Sequence, residues 1–425
     1  MAFNEDKRSK LHYGWVVVAV VFLCLLAAAG VRATPGVLIV PLQQSLGWSR
    51  ADISLAISIN IFLYGLTGPF AAACMQRFGI RRTTLAALVL LAATVAASTR
   101  MSAVWQMMLG WGLAVGVGSG FIAVVLAATV VNRWFVQRRG LVMGILTAST
   151  ATGQLVFLPM LAAVVSTHGW QAVAWIVAGA AAAMALLAAV LLKESPRALG
   201  LRPYGAGADW SEPAAPAENP VTAAFRALGR AVKVRDFWLL SASFFVCGLS
   251  TNGLVGTHLI SSCIDQGLPA VKGASLLALM GVFDLIGTTA SGWLSDRYDN
   301  RLLLFFYYGL RGLALIYLPY SGYGAGLLPF AVFYGLDWIA TVPPTSRLAT
   351  QVFGSRDAPV VFGWIVAAHQ LGGAVAAYGA GAVREWLGSY AMAFIGAGAV
   401  CVVAALMVMT IGRQAPHALE PAPAD

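Results

Sequence analysis

Six ionisable residues lie inside long apolar runs of this sequence: Arg32, His258, Asp284, Arg311, Asp337 and His369. At bilayer depth such a group costs roughly 2.5 to more than 10 kcal/mol, so it faces protein or water and serves function by default. Asp284 precedes Ser295, the end of its run, by eleven residues. At about 1.5 Å per residue that is about 16 Å, near mid-membrane. Gly281 and Thr288, at i−3 and i+4, make its helical face small and polar. A carboxylate in this setting can take up and release a proton, or pair with a base on another run. Asp337, in "FYGLDWIATVPP", is a second deep carboxylate. It suits proton relay, recognition of a cationic group, or an ion pair with Arg32, Arg311 or His369; Pro343 and Pro344 predict a bent helix behind it. Arg32, in "GVRATPGV", can bind a carboxylate, with Pro35 and Gly36 expected to loosen the helix and open a cavity. The competing reading is snorkelling to the membrane interface. His369, beside Gln370, can supply a pH-dependent charge, and His258 lies nearer a helix end as a gating residue. Arg311 suits a structural pair.

The elements that must position these residues follow from composition. The 425 residues are 59% hydrophobic and 10% charged, with mean hydropathy +0.79. A soluble domain carries about 25% charged residues, so this is an integral membrane chain. Its apolar runs approach the ~20 residues of a spanning helix. Twelve are expected, over 15–40, 52–75, 84–99, 104–131, 140–165, 170–192, 237–262, 274–295, 302–319, 324–346, 359–383 and 389–411. The first follows Lys7, Arg8 and Lys10 but exceeds a signal-peptide core in length, so it is retained. Basic residues concentrate in that tail and in the loops after spans 2, 4, 6, 8 and 10, while Arg50, Arg100, Lys272 and Arg384 hold the other side. The bias puts both termini in the cytoplasm of a cell (inner) membrane protein. The formal charge of +10 therefore reports topology, and no basic patch for nucleic acid is present. Five scattered cysteines without a C-x-x-C pair suggest packing; neither a metal site nor a cofactor is expected.

The order of elements is six spans, a linker and six spans: 1–192, 193–235 and 236–425. The linker is rich in proline, and from Ala223 to Lys233 "AAFRALGRAVK" reads as a short amphipathic surface helix with Phe225, Leu228 and Val232 on one face. "QRFGIRR" (Gln76–Arg82) and "DRYDNR" (Asp296–Arg301) are 220 residues apart; "GILTASTATG" and "GWIVAAHQLG" are 219 apart. Such offsets indicate duplication, and repeated six-span bundles are a transporter signature. Tyr64 is the repeat counterpart of Asp284 and, with Asn60 one turn earlier, can offer hydroxyl and amide contacts. The closely spaced glycines of spans 4 and 5 suit close helix packing.

"GWLSDRYDNR" resembles the loop signature of the major facilitator superfamily, G-x-L-x-D-R-x-G-R-K, through Gly292, Leu294, Asp296, Arg297 and Arg301; Asp299 replaces the second glycine. The first-half copy keeps Arg77, Gly79 and Arg81 but has Gln76 for the aspartate. The resemblance implies an all-α, twelve-helix fold of two six-helix bundles, with Arg77, Arg81, Asp296, Arg297 and Arg301 as gating residues. "HYGW", "GWSRADIS", "YGLTGP" and "RWFVQRRGLVMGI" further resemble the monocarboxylate transporter and oxalate–formate antiporter branch. That branch implies transport of a small organic acid with protons or by exchange, and helix 1 lining the cavity. Its helix 8 pattern D-x-x-x-R implies proton coupling at Asp284, while Thr288 stands where the arginine holds the substrate carboxylate. Threonine cannot make arginine's bidentate contact. Either another base grips the anion, with Arg32 the best replacement, or the substrate is not a simple monocarboxylate. The antiporters' basic residue in helix 11 gives His369 a parallel.

The expected function is thus secondary transport of a small organic anion by a monomer. Substrate contacts are expected from Arg32, Asn60, Tyr64, Thr288 and His369, and proton coupling from Asp284 and Asp337. An exporter of a larger amphiphilic or zwitterionic compound is the alternative. A membrane enzyme lacks H-E-x-x-H, G-x-S-x-G and phosphate-loop motifs. A transport-dead sensor would need an output domain, for which the tails leave no room.

Overall fold

The computed structural model describes residues 12–207 and 220–412. Lys7, Arg8 and Lys10, the linker prolines Pro213 and Pro216, and Arg413 lie outside the described residues, as do the side chains of Gln76 and Arg356. All described elements are helical. Span 1 is Tyr13–Leu46, span 2 Arg50–Phe78, span 3 Ile80–Ser98 and span 4 Val104–Trp134. A 53-residue helix follows, Arg139–Leu191. At ~1.5 Å per residue it would be about 80 Å long, more than twice the ~30 Å apolar layer. Gly169, at φ 80°, divides it into spans 5 and 6. Spans 7 to 12 are Arg235–Asp265, Ala270–Ser295, Asn300–Tyr320, Leu327–Gly354, Asp357–Leu387 and Ala391–Val408. Eleven stretches among the described residues have the length and apolarity of a membrane crossing, and dividing the long helix at Gly169 makes twelve.

Most helices outrun the boundaries read from hydropathy because caps, not apolarity, end them. Ser49 accepts from the Asp52 N–H at 3.0 Å to start span 2, and Gly47, at φ 70°, closes span 1. The loosening expected at Pro35 and Gly36 does not occur, since span 1 is helical through both to Leu46, yet both residues line the central cavity described below. Thr34 Oγ1 donates to the Gly30 carbonyl at 2.8 Å, and Gly36 serves close packing, lying against the backbone of Gly256 and Thr257 in span 7.

Two other spans do break. Span 4 leaves helical geometry at Ile122 and Ala123, and span 10 loses its regular helical hydrogen bonding in a turn over residues 338–341, where Trp338 and Thr341 keep right-handed helical dihedrals. These spans hold equivalent places in the two sets of six, and each break falls beside a cavity described below. Within the first set, span 1 packs on span 5 and span 3 on span 6; within the second, span 7 packs on span 11, span 8 on span 10 and span 9 on span 12. Spans 2 and 11, 5 and 8, and 1 and 7 join the sets. The linker helix is Pro220–Ala231, starting three residues earlier than expected because proline suits a first helical turn. It docks on span 11: Trp364 Nε1 donates to the Ala224 carbonyl at 3.0 Å, Phe225 lies 5.4 Å from the Trp364 ring, and Arg230 pairs with Asp357 at 3.0 Å.

Candidate functional site

A central cavity of about 70 Å³, the scale of a few water molecules, lies where spans 1, 2, 7, 10 and 11 converge. Arg32, Asn60, Tyr64, Asn252, Trp338 and Gln370 supply its polar and aromatic lining. The Arg32 guanidinium lies over the Tyr64 ring, 4.7 Å from its centroid. Among the described residues it has no carboxylate partner, so its charge is available to a ligand. Asn60 Nδ2 donates to the Trp111 carbonyl at 2.6 Å, which fixes the amide beside the cavity. Arg32 and Tyr64 also line a second, apolar cavity with Leu25, Ile122 and Leu146, at the break of span 4. The helical segment that resumes at Val124 presents its partially positive N-terminus to this cavity.

The carboxylates sit behind the central cavity in one network of spans 7 to 10. Asp284 is buried, and its Oδ1 accepts from Thr288 Oγ1 at 2.8 Å and from the Ile339 N–H at 2.9 Å. Thr288 therefore engages the carboxylate of its own helix. Asp337 pairs with fully buried Arg311: Nε to Oδ2 is 2.6 Å, and Nη2 reaches the Asp337 carbonyl at 2.5 Å and the Trp338 carbonyl at 3.3 Å. Arg311 Nη1 also meets Cys247 Sγ at 2.9 Å. Asp337 Oδ1 has no partner among the described residues. His369 is not part of the cavity lining; its ring lies 4.8 Å from that of Phe244, and its neighbour Gln370 faces the cavity instead.

On the side of the basic loops, Asp296 pairs with Arg347 at the end of span 10. Asp299 pairs with Arg301 at 2.6 Å, and the Arg301 hydrogen bond holds the Asp299 carboxyl below its usual range. Arg297 stacks 4.2 Å over Trp293, and Arg77 lies 5.5 Å from the Phe78 ring. The first set replaces the missing aspartate from a distance. Glu194, just past span 6, accepts from the backbone N–H groups of Ile80 and Arg81 at 2.9 and 3.2 Å and pairs with Arg133 at the end of span 4. Arg81 Nη2 donates to the Ala189 carbonyl at 2.5 Å.

The opposite face carries a network that joins the two sets of spans. Arg50 grips Asp265 of span 7 with both Nη atoms, at 2.7 and 2.6 Å. Arg384 Nε shares that carboxylate at 2.6 Å, Gln43 holds Arg50 Nε at 2.7 Å, and Glu385 accepts from the Ala51 N–H at 3.3 Å. His258 is buried there, with Nε2 2.7 Å from the Ala377 carbonyl and Nδ1 3.3 Å from Tyr390 Oη. Between this network and the cavity, spans 2 and 11 touch closely, with Gly381 against Ser54, and they meet again at the level of the cavity, with Ile61 against Gly373 and Gly65 against Gln370. The cavity is closed on this face.

Arg32, Asn60 and Tyr64, expected as substrate contacts, line the cavity, and Asp337 pairs with Arg311, one of the three partners the sequence offered; several other partners were missed. Trp338, Asn252 and Gln370 are uncharged and carry no signal in an apolar run. Glu194 had one: Gln76 at an aspartate position calls for an acid from elsewhere. The Arg50–Asp265 pair links helix ends 215 residues apart, outside the apolar runs, where charge is unremarked.

Comparison with known proteins agrees with this architecture. The family model described as Major Facilitator Superfamily matches residues 21–377. The uncharacterized MFS-type transporter YcxA of Bacillus subtilis is 24% identical over 412 residues, covering 93% of this chain and 93% of the relative. Monocarboxylate transporter 11 of Mus musculus is 26% identical over 420 residues, covering 95% and 88%. Among solved structures, a D-xylose-proton symporter superposes with a TM-score of 0.73 at 14% identity, covering 94% of this chain and 98% of that one. A bacterial homolog of the human lysosomal transporter Spinster, in an inward-facing and unoccupied conformation, gives 0.72 at 15% identity, covering 94% and 96%.

Proposed function

Because this chain belongs to the Major Facilitator Superfamily, and is thus a multi-pass membrane transporter, we propose that it carries a small organic anion across a cell membrane by alternating access, with protons or in exchange. The observation that carries this reading is Arg32, a cation on the central cavity with no acid to neutralise it among the described residues. A guanidinium stacked on Tyr64 presents a planar donor edge that matches a carboxylate. Asn60 adds a neutral contact, and Asp284 and Asp337 take the proton-coupling role. Thr288 acts through Asp284. The kinship to proteins named monocarboxylate transporters supports the substrate class. A larger zwitterionic cargo fits less well, since Asp337 is already paired and the cavity is small.

In this reading the basic loops and both termini face the cytoplasm. Residues 1–192 and 236–425 rock against each other about the central cavity, tethered by 193–235. The Arg50–Asp265 network is the outer gate, shut in this structure, and Arg77, Arg81, Asp296, Arg297 and Arg301 belong to the cytoplasmic one. The test is uptake by proteoliposomes of a panel of labelled mono- and dicarboxylates, with and without a pH gradient. Movement of at least one acid is expected; if none moves and the gradient changes nothing, the reading is wrong.

A further inference from the structure

The peptide unit between Trp338 and Ile339, at the break of span 10, is held from both sides by charged side chains. Its carbonyl accepts from Arg311 Nη2 at 3.3 Å, and its N–H donates to Asp284 Oδ1 at 2.9 Å. Two residues on, the carbonyl of Ala340 would meet the N–H of residue 344 in an unbroken helix, but Pro344 has none. Ser291 Oγ donates to it instead, at 2.5 Å. Asp284 and Ser291 are two turns apart on span 8, and Gly287 between them lets the Leu336 backbone lie against that helix. The residue carried by this clamped peptide is Trp338, which lines the central cavity together with Arg32.

We propose that the Trp338–Ile339 peptide is the mechanical link between proton and substrate, with Trp338 a positioning residue that transmits the charge state of Asp284 to the cavity. The inference rests on the transport reading above. Ionised, Asp284 holds the Ile339 N–H through a charge-assisted hydrogen bond, roughly twice as strong as a neutral one. When the carboxylate takes up a proton no other covalent bond changes, but that grip weakens. The peptide is then held mainly by Arg311, and Trp338 shifts in the cavity. The charged and titratable groups facing Asp284 are Arg311 of span 9, Asp337 of span 10 and Cys247 of span 7. Span 5, also packed on span 8, carries only Arg139 and His168, both at its ends. Arg311 stays charged, so it supplies a constant hold against which the proton acts.

The test needs no substrate. A bimane label on Asn252→Cys, in the same cavity as Trp338, is quenched by the nearby indole; Cys74→Ser removes the one described cysteine that is not buried. In the full-length protein in nanodiscs, fluorescence is expected to change with pH along a single titration curve. Asp284→Asn flattens the curve, Asp284→Glu restores it, and Trp338→Phe removes the quenching at every pH. Should Asp284→Asn not fold, Thr288→Val removes the other donor to Oδ1 and displaces the midpoint. A flat curve in the parent, a titration that survives in Asp284→Asn, or a midpoint unmoved by Thr288→Val would overturn the proposal. Failure of the uptake panel leaves this result unaffected, so the two readings fail separately.

Discussion

At the scale of single residues, the proposed chemistry rests on Arg32 at the cavity and on Asp284 and Asp337 behind it. Arg32 lacks an acid among the described residues and has Tyr64 beneath it. A hydrogen bond to a charged group is worth about 1.5–3 kcal/mol, so Arg32→Ala should weaken anion binding roughly 10- to 100-fold. Direct titration of a transported acid would show this, and unchanged affinity would remove Arg32 from the site. Asp284→Asn is expected to abolish proton-driven accumulation while leaving exchange of anion for anion, a split that counterflow in proteoliposomes can read. Arg311→Ala strands the Asp337 carboxylate, a loss of about 3–5 kcal/mol for a buried pair, and should lower the unfolding temperature far more than Asp337 and Arg311 removed together. The loop pair Asp299–Arg301 behaves otherwise. Its lowered carboxyl contributes stability above the ordinary carboxylate range, lost only as pH falls through the lowered value. A response near neutral pH therefore does not originate there.

At the scale of elements, close contact between helices sets what can move. Gly65 of span 2 leaves room for the Gln370 side chain of span 11, and a side chain at 65 would collide with it. Gly65→Leu is expected to express and fold, since each bundle keeps its own packing, but to stop transport by holding spans 2 and 11 apart. Wild-type flux in that variant would show the contact is dispensable. Hydropathy reveals the spans themselves because apolar length is what a bilayer selects. Their breaks are only half legible. Pro343 and Pro344 announce the break of span 10 by removing two N–H donors, yet Pro35 and Pro41 sit in an unbroken span 1. Nothing near Ile122 announces the break of span 4; its glycines read only as packing. A helix yields where neighbours can satisfy the freed groups, as Asp284, Ser291 and Arg311 do for span 10, and a linear sequence does not display those neighbours. The i+4 spacing did show Thr288 on the face of Asp284, and in the structure its hydroxyl donates to that carboxylate.

At the scale of the whole molecule, the closed face depends on a single acid gripped across the two sets of spans. Asp265→Asn should shift the population toward a form open on that face, and a thiol reagent applied from outside should then modify Asn252→Cys several times faster. An unchanged rate would mean the helix contacts alone hold the face shut. The network has a further property. Asp265 is shared by Arg50 across the divide and by Arg384 beside it, while Arg50 also keeps Gln43 from its own set. In the proposed opening, each ion retains a companion on its own side, so neither is left bare. In the proposed cycle the latch can then open and reclose without a large desolvation barrier on either stroke. Arg384→Gln would leave closure intact and slow release, making a neighbour that never crosses the divide the governor of turnover.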